Sequence, residues 1–366
     1  MDRNDAMTTA RALRAWAEAA GVFSQGRSAG IGIARVGEAA TMFGAGAEVT
    51  FTAKPITAIG VSAPPDRDPK LVIYTRRRLT KAEQATLIEQ NRLGLPVEFQ
   101  VALPFGVSTP TTSARFDTMF RNGRMTCGSS ISVGNAREAG TLGALLRDGD
   151  GKLYGLSCNH VTGGCSNART GVPIVAPGIL DVGSGAPDVR TVGHHHRSLS
   201  FVQGDPSAIP DYRLNLDAAI FAIADGDAVS SWQGDAYDTP ALVADPLEDA
   251  AVEKVGRTTG HTSGVIESEL VGALRVDYNV TVFHSAEENN VFRGTVYFEP
   301  VYVLRGADNF AFDGDSGALV VRRNPIGDEV AAVGLVIGGG GNGETYMLPI
   351  RPILDRLGMS LVTGHG

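Results

Sequence analysis

Three segments of the chain hold residue types that can cooperate in nucleophilic acyl transfer. Ser316 lies in Asp313-Gly314-Asp315-Ser316-Gly317. Glycines on both sides of Asp315-Ser316 allow a sharp turn and a close approach by a substrate. The N–H groups of Gly314 and Ser316 can converge on one point, where an oxyanion would develop. An apolar run, Ala318 to Val321, follows and reads as a strand that anchors the turn. His160, in Leu156-Ser157-Cys158-Asn159-His160-Val161, offers an imidazole that can accept the hydroxyl proton. Asp217 enters the apolar stretch Ala218-Ala219-Ile220 and offers a buried carboxylate that can hold that imidazole in one tautomer. Taken alone, the serine segment is also an ordinary aspartate-glycine hairpin turn.

The other titratable residues fit such a role less well. Asp211 lies six residues before Asp217 but follows Pro210 in a polar loop. His194-His195-His196 resembles a metal cluster, yet adjacent residues on one strand cannot all face one ion. His261 sits in a turn between glycine and threonine, and His284 and His365 read as surface residues. Cys127, Cys158 and Cys165 are too few, and oddly numbered, for a disulfide framework, and their spacing matches no zinc signature. The run Gly338 to Gly343 lacks the lysine and following helix of a phosphate-binding loop. No metal and no cofactor are expected.

The elements that must position these residues are mostly strands. Plentiful glycine, 46 of 366 residues, suits short strands joined by tight turns. Residues Ala6 to Ala20 read as a helix, and Ile31 to Val36 as a strand. Strands at Pro55–Val61, Leu71–Tyr74 and Pro96–Val101, with a helix at Thr80–Gln90, make a small α/β module within residues 1–104. Residues 105–126, rich in serine and threonine with Gly106 and Pro110 among them, read as a linker. From Cys127 onward short apolar runs alternate with glycine and aspartate turns: Thr141–Leu146, Leu153–Leu156, Ala218–Ile223, Ser263–Ser268, Val271–Tyr278, Val291–Val303, Gly317–Val321 and Ala331–Ile337. Such a run of strands implies a barrel or sandwich. Helical pattern returns only at Pro352–Leu357. The formal charge of −8 argues against nucleic acid as a partner, since phosphate binding needs clustered positive charge. The basic run Arg76-Arg77-Arg78 reads as a solvated strand end. No signal peptide or membrane-spanning stretch is recognisable, so the expected compartment is the cytoplasm.

Gly314-Asp315-Ser316-Gly317 resembles the nucleophile motif of the trypsin-like, or chymotrypsin-fold, serine peptidases. The segments around His160 and Asp217 resemble that family's histidine and aspartate segments, in the family's order, 57 and 99 positions apart. The resemblance covers about residues 127–358, within a peptidase domain taken as 127–366, and implies a double antiparallel β-barrel with its site between the barrels. It implies an endopeptidase acting on protein or peptide, with Ser316 as nucleophile, His160 as base and acid, Asp217 as orienting group, and Gly314 and Ser316 as oxyanion donors. Val333–Gly338 is similar to the strand that lines the substrate cleft, Gly343–Tyr346 to the return strand behind the pocket, and Pro352–Gly358 to the closing helix. The pocket is then expected from Phe310, Asp313, Val336, Ile337, Gly338 and Glu344.

The segment Val255–Gly264 is similar to that of intracellular bacterial and plant members, some of which carry an α/β extension. A regulatory protein partner could bind such an extension. Phe310, where trypsin has a carboxylate, points to an uncharged residue on the acyl side of the cut. Glu344 and Asp313 are read as solvated, because both adjoin glycine-rich turns. Val336 stands where a serine often supports the aspartate, which leaves Asp217 either less well bonded or held by another group. A catalytically dead barrel used for binding is the alternative function.

Overall fold

A computed structural model of the chain describes residues 2–24, 42–44, 46–107, 110, 112–117, 119–183, 185–204, 211–285, 287–323, 330–339 and 343–366. The strand expected at 31–36 lies outside these residues. Helix α1 (Arg3–Ala19) starts at Asp2, whose carboxylate accepts the Asp5 N–H while the Asp5 carboxylate accepts the Asp2 N–H. Its buried face is Ala6, Ala10, Leu13, Trp16 and Ala17. After α2 (Ala47–Ala53) come β1 (Ile56–Ser62), β2 (Lys70–Thr75), α3 (Lys81–Glu89) and β3 (Val97–Val101). Thr80 and Glu83 form the capping box of α3 that their spacing predicts. Strand β2 runs antiparallel to β1 and parallel to β3, so the strand–strand–helix–strand order read from the sequence stands. A separate apolar cluster, including Leu13, Phe43, Phe51, Ile59, Leu71 and Ile73, packs this part. A short strand, β4 (Gly106–Val107), follows.

The rest is a mostly β, double-barrel fold of chymotrypsin type. The first barrel holds β5 (Ser130–Val133), β6 (Gly140–Thr141), β7 (Ala144–Arg147), β8 (Leu153–Ser157), β9 (Pro173–Ala176), β10 (Arg190–Ser198) and β11 (Ala219–Ile223). Their sheet runs β7-β8-β11-β10-β9-β5-β6. Only Leu142-Gly143 separates β6 from β7, so the sheet curls back to its start. Helix α4 (Asn159–Thr162) leaves the end of β8.

The second barrel holds β12 (Ala251–Gly256), β13 (Gly260–Leu270), then a hairpin of β14 (Leu274–Phe283) and β15 (Asn289–Phe298), then β16 (Tyr302–Gly306), β17 (Leu319–Arg323), β18 (Val330–Gly339) and β19 (Glu344–Pro349). Six of these close into a ring, β12-β17-β18-β19-β16-β13, because β13 also pairs with β12. The stretch Val291–Val303, read as one strand, is two: Glu299-Pro300-Val301 interrupts it, and Pro300 has no N–H for a ladder. Strand β1 pairs with the end of β13, Gly60 opposite Leu270, so the N-terminal sheet extends that of the second barrel. Helix α5 (Ile350–Leu357) ends at Gly358, whose φ of 66° is the left-handed conformation glycine tolerates best. Among the described residues, no helix is long and apolar enough to cross a membrane.

Candidate active site

The strand register brings two of the candidate residues together. Strands β8 and β11 are antiparallel neighbours, with Ser157 opposite Ala219. His160 leaves just past the end of β8, and Asp217 lies just before β11. The His160 Nδ1 is 2.6 Å from Asp217 Oδ2. The His160 backbone N–H also donates to Asp217 Oδ1, at 3.1 Å. Both side chains are buried, Asp217 completely.

A third group completes this network, and the sequence reading did not find it. The Tyr278 hydroxyl, from β14, donates to Asp217 Oδ2 at 2.9 Å. Its ring packs on Phe201 and lies 5.7 Å from the His160 ring, centroid to centroid. Burial, then the Asp217 charge, pushes the phenol's pKa well up, so it stays a neutral donor. Tyr278 therefore gives Asp217 the support that Val336 cannot. Three hydrogen bonds to a carboxylate with no water contact offset much of its burial penalty. Period-two burial of Val276, Tyr278, Val280 and Val282 marks the inward face of β14, but nothing in that pattern names the partner.

Ser316 sits on the turn between Phe310 and β17. Gly314 and Gly317 have φ of 97° and 93°. A Cβ on Gly317 would lie 2.3 Å from Ser157 Oγ, so both conformation and space require glycine there. The turn is bound to the first barrel: the Thr141 N–H donates to the Ser316 carbonyl at 2.9 Å, and Thr141 Oγ1 to the Gly314 carbonyl at 2.9 Å. From the second barrel, the Gly317 N–H donates to the Val336 carbonyl at 2.8 Å. Ser316 Oγ donates to the Ile337 carbonyl at 3.3 Å. Ser316, Gly314, His160, Asp313 and Gly338 line one small cavity. Among the described residues, no hydrogen bond joins Ser316 to His160, and no acceptor takes the N–H of Gly314 or Ser316.

Asp315, beside the nucleophile candidate, is wholly buried and heavily bonded. Its carboxylate accepts from the N–H groups of Thr258 (2.8 Å) and Phe312 (3.0 Å) and from the Thr259 hydroxyl (2.7 Å). Lys254 Nζ lies 3.4 Å away, also buried. Burial pulls the Lys254 pKa down, and the Asp315 charge works against that. Nearby, the buried Arg257 guanidinium pairs with Asp181 and donates to the Thr112 carbonyl at 2.7 Å. The segment Val255–Gly264 thus braces the serine turn from below.

The remaining pocket candidates divide. Asp313 is exposed at the cavity rim and Gly338 lines the cavity. Phe310, Val336 and Ile337 are fully buried and are not among the residues lining it. Glu344, read as solvated, is also fully buried, and its carboxylate accepts the Leu103 N–H at 3.2 Å. The glycine beside it suggested a surface turn, but Glu344 already lies in β19, whose residues are all buried. Asp211 is exposed. His195 is buried while His194 and His196 are exposed, so they diverge as strand alternation requires. All three cysteines are free and buried. The Cys158 thiol, His160 and Asp217 come close enough to suggest a metal set. Burial pushes that thiol's pKa well up, however, and it donates to the Val336 carbonyl at 3.2 Å.

No protein-family model matches the chain. Protein NARROW LEAF 1 of Oryza sativa subsp. japonica is 26% identical over 246 residues, which covers 59% of this chain and 38% of that protein. The matched region is thus well under half of that relative's length. Among solved structures, Thermobifida fusca Protease A is 22% identical, with a TM-score of 0.38, covering 65% of this chain and 98% of its own. A glutamic acid specific serine protease, described as using a histidine triad in substrate binding, is 21% identical with a TM-score of 0.40, covering 65% and 100%. Cellulomonas bogoriensis chymotrypsin is 20% identical with a TM-score of 0.39, covering 65% and 98%. These are bacterial chymotrypsin-fold serine proteases.

Proposed function

We propose that the chain is a serine endopeptidase working through an acyl-enzyme. The observation that carries this reading is the buried His160–Asp217–Tyr278 network, which opens onto the same cavity as Ser316. Donation of the Nδ1 proton to Asp217 fixes the imidazole tautomer and leaves Nε2 as the base. Ser316 Oγ bonds to the scissile carbonyl carbon as its proton passes to Nε2. The carbonyl oxygen becomes the oxyanion, facing the N–H groups of Gly314 and Ser316. His160 then protonates the leaving amine, the C–N bond breaks, and water releases the acyl group by the reverse sequence. Rotation of Ser316 Oγ from Ile337 toward His160 precedes attack.

In this reading residues 127–366 form the peptidase unit, residues 1–104 form a module open to a regulatory protein partner, and residues 105–126 join the two. The second reading is a binding-only barrel, favoured by the absence of a Ser316–His160 hydrogen bond. Ser316→Ala separates the two. A peptidase loses cleavage and keeps its melting temperature; a binding module loses nothing.

A further inference from the structure

The cleft beside Ser316 already holds a side chain of this chain. Phe105, in the stretch expected to be a linker, is only 7% exposed. Its ring packs on Tyr346, centroids 5.0 Å apart. On its other side is Gly338, where a Cβ would come within 2.3 Å of the Phe105 Cζ. The absent side chain at 338 is therefore what admits the ring. The segment is held on both sides. The Leu103 N–H donates to Glu344, and Gly106 and Val107 pair with Asp277 and Tyr278 of β14. Between Phe105–Val107 and Pro110 on one side, and His160, Gly314, Ser316 and Gly338 on the other, remains a cavity of about 20 Å³. A cavity that takes a benzene-sized ring is several times larger, about 150 Å³, so this one admits a water molecule but no second ring.

A peptide substrate would need two places, one for its carbonyl over Ser316, where only the small cavity remains, and one for its side chain beside Gly338, which Phe105 fills. We propose that Phe105 is an internal occupant of the specificity pocket, so that the Leu103–Val107 strap inhibits the site, and that the pocket takes the aromatic side chain of a peptide substrate that competes with Phe105. This rests on the hydrolase reading above. The chemistry of the walls selects the class. Tyr346 offers a flat apolar face and Gly338 offers none of its own, a slot that a planar ring fills. A small side chain would leave that apolar area uncovered. A lysine or arginine would have to compete with Arg305, whose charge already interacts with the buried Glu344.

The test measures second-order rate constants for covalent labelling of Ser316. Three reagents are used: a small alkyl fluorophosphonate, and two peptidyl diphenyl phosphonates bearing a phenylalanine-like or an alanine-like group at the acyl-side position. Wild type, Phe105→Ala and Phe105→Leu are compared, each with its melting curve. A closed fraction held by burial of one phenyl ring implies acceleration of about ten- to hundredfold when the ring is removed. Phe105→Ala should therefore raise the rate with the phenylalanine-like reagent by about that factor, and Phe105→Leu by less. Wild type should also react faster with the phenylalanine-like than with the alanine-like reagent. An unchanged or slower rate in both variants overturns the proposal, as does a wild-type preference for the alanine-like reagent. If Phe105→Ala does not melt cooperatively, Phe105→Leu, which keeps apolar packing, decides. Failure of the small fluorophosphonate to label any form overturns the hydrolase reading itself.

Discussion

Tyr278→Phe removes one oxygen and keeps the ring among Phe201, Phe292 and Phe298. Asp217 then keeps only its two bonds from His160. A hydrogen bond to a charged group contributes about 1.5–3 kcal/mol. The lower end applies, because two of three donors remain and part of the loss falls equally on ground and transition states. One factor of ten in rate corresponds to about 1.4 kcal/mol. kcat should therefore fall about tenfold with KM little changed, since Tyr278 lies behind the histidine and not in the substrate's path. A loss of similar size in folding free energy should lower the melting temperature by a few degrees. The decisive assay is a double-mutant cycle with Asp217→Asn, read as kcat on a peptide substrate. The hydroxyl acts only through the carboxylate, so Tyr278→Phe should have almost no further effect in the Asp217→Asn background. Equal tenfold losses in both backgrounds would refute the reasoning and leave Tyr278 a packing residue.

Asp217→Asn alone should lower kcat by about four orders of magnitude, because the amide favours the wrong imidazole tautomer; a loss under tenfold in steady-state kinetics would contradict its role. Lys254→Met leaves the Asp315 carboxylate buried without its counter-charge, which should cost about 3–5 kcal/mol in a urea titration, and an unchanged midpoint would count against that pairing. Burial raises the Cys127 pKa to about 12 and pushes those of Cys158 and Cys165 well up, so the folded protein's thiols should resist a maleimide at pH 7 while the urea-unfolded chain reacts at all three. A thiol reductant should leave both the melting temperature and peptidase activity nearly unchanged, because the three cysteines are free.

The parts legible in the sequence were those fixed by local chemistry. A glycine on each side of Asp315-Ser316 encodes a turn conformation, and an aspartate entering Ala218-Ala219-Ile220 encodes burial. Alternating apolar residues encode strands, and Thr80 with Glu83 three positions on encodes the capping box of α3, while the pairing of the strands into two barrels was legible only through the family resemblance of the Ser316, His160 and Asp217 segments. The missed features depend on distant partners. Tyr278 is 61 positions from Asp217, and only the fold of the β14–β15 hairpin brings them together. Phe105 belongs to a serine- and threonine-rich stretch, whose composition reads as a connector although it packs in the cleft. Glu344 was misread for the same reason: an adjacent glycine reports a turn, but its burial is decided by β16, β18 and the strap around it.

Whether Ser316 is a nucleophile decides between a hydrolase and a binding-only barrel. The direct measurement is intact-mass and peptide-mapping mass spectrometry of the whole chain after prolonged exposure to a small fluorophosphonate, alongside Ser316→Ala and His160→Ala. A serine hydrolase should give one adduct per chain, mapped to Ser316, none in Ser316→Ala, and strongly slowed labelling in His160→Ala. An unlabelled wild-type chain with a normal melting curve, or an adduct on another residue, would contradict the hydrolase reading.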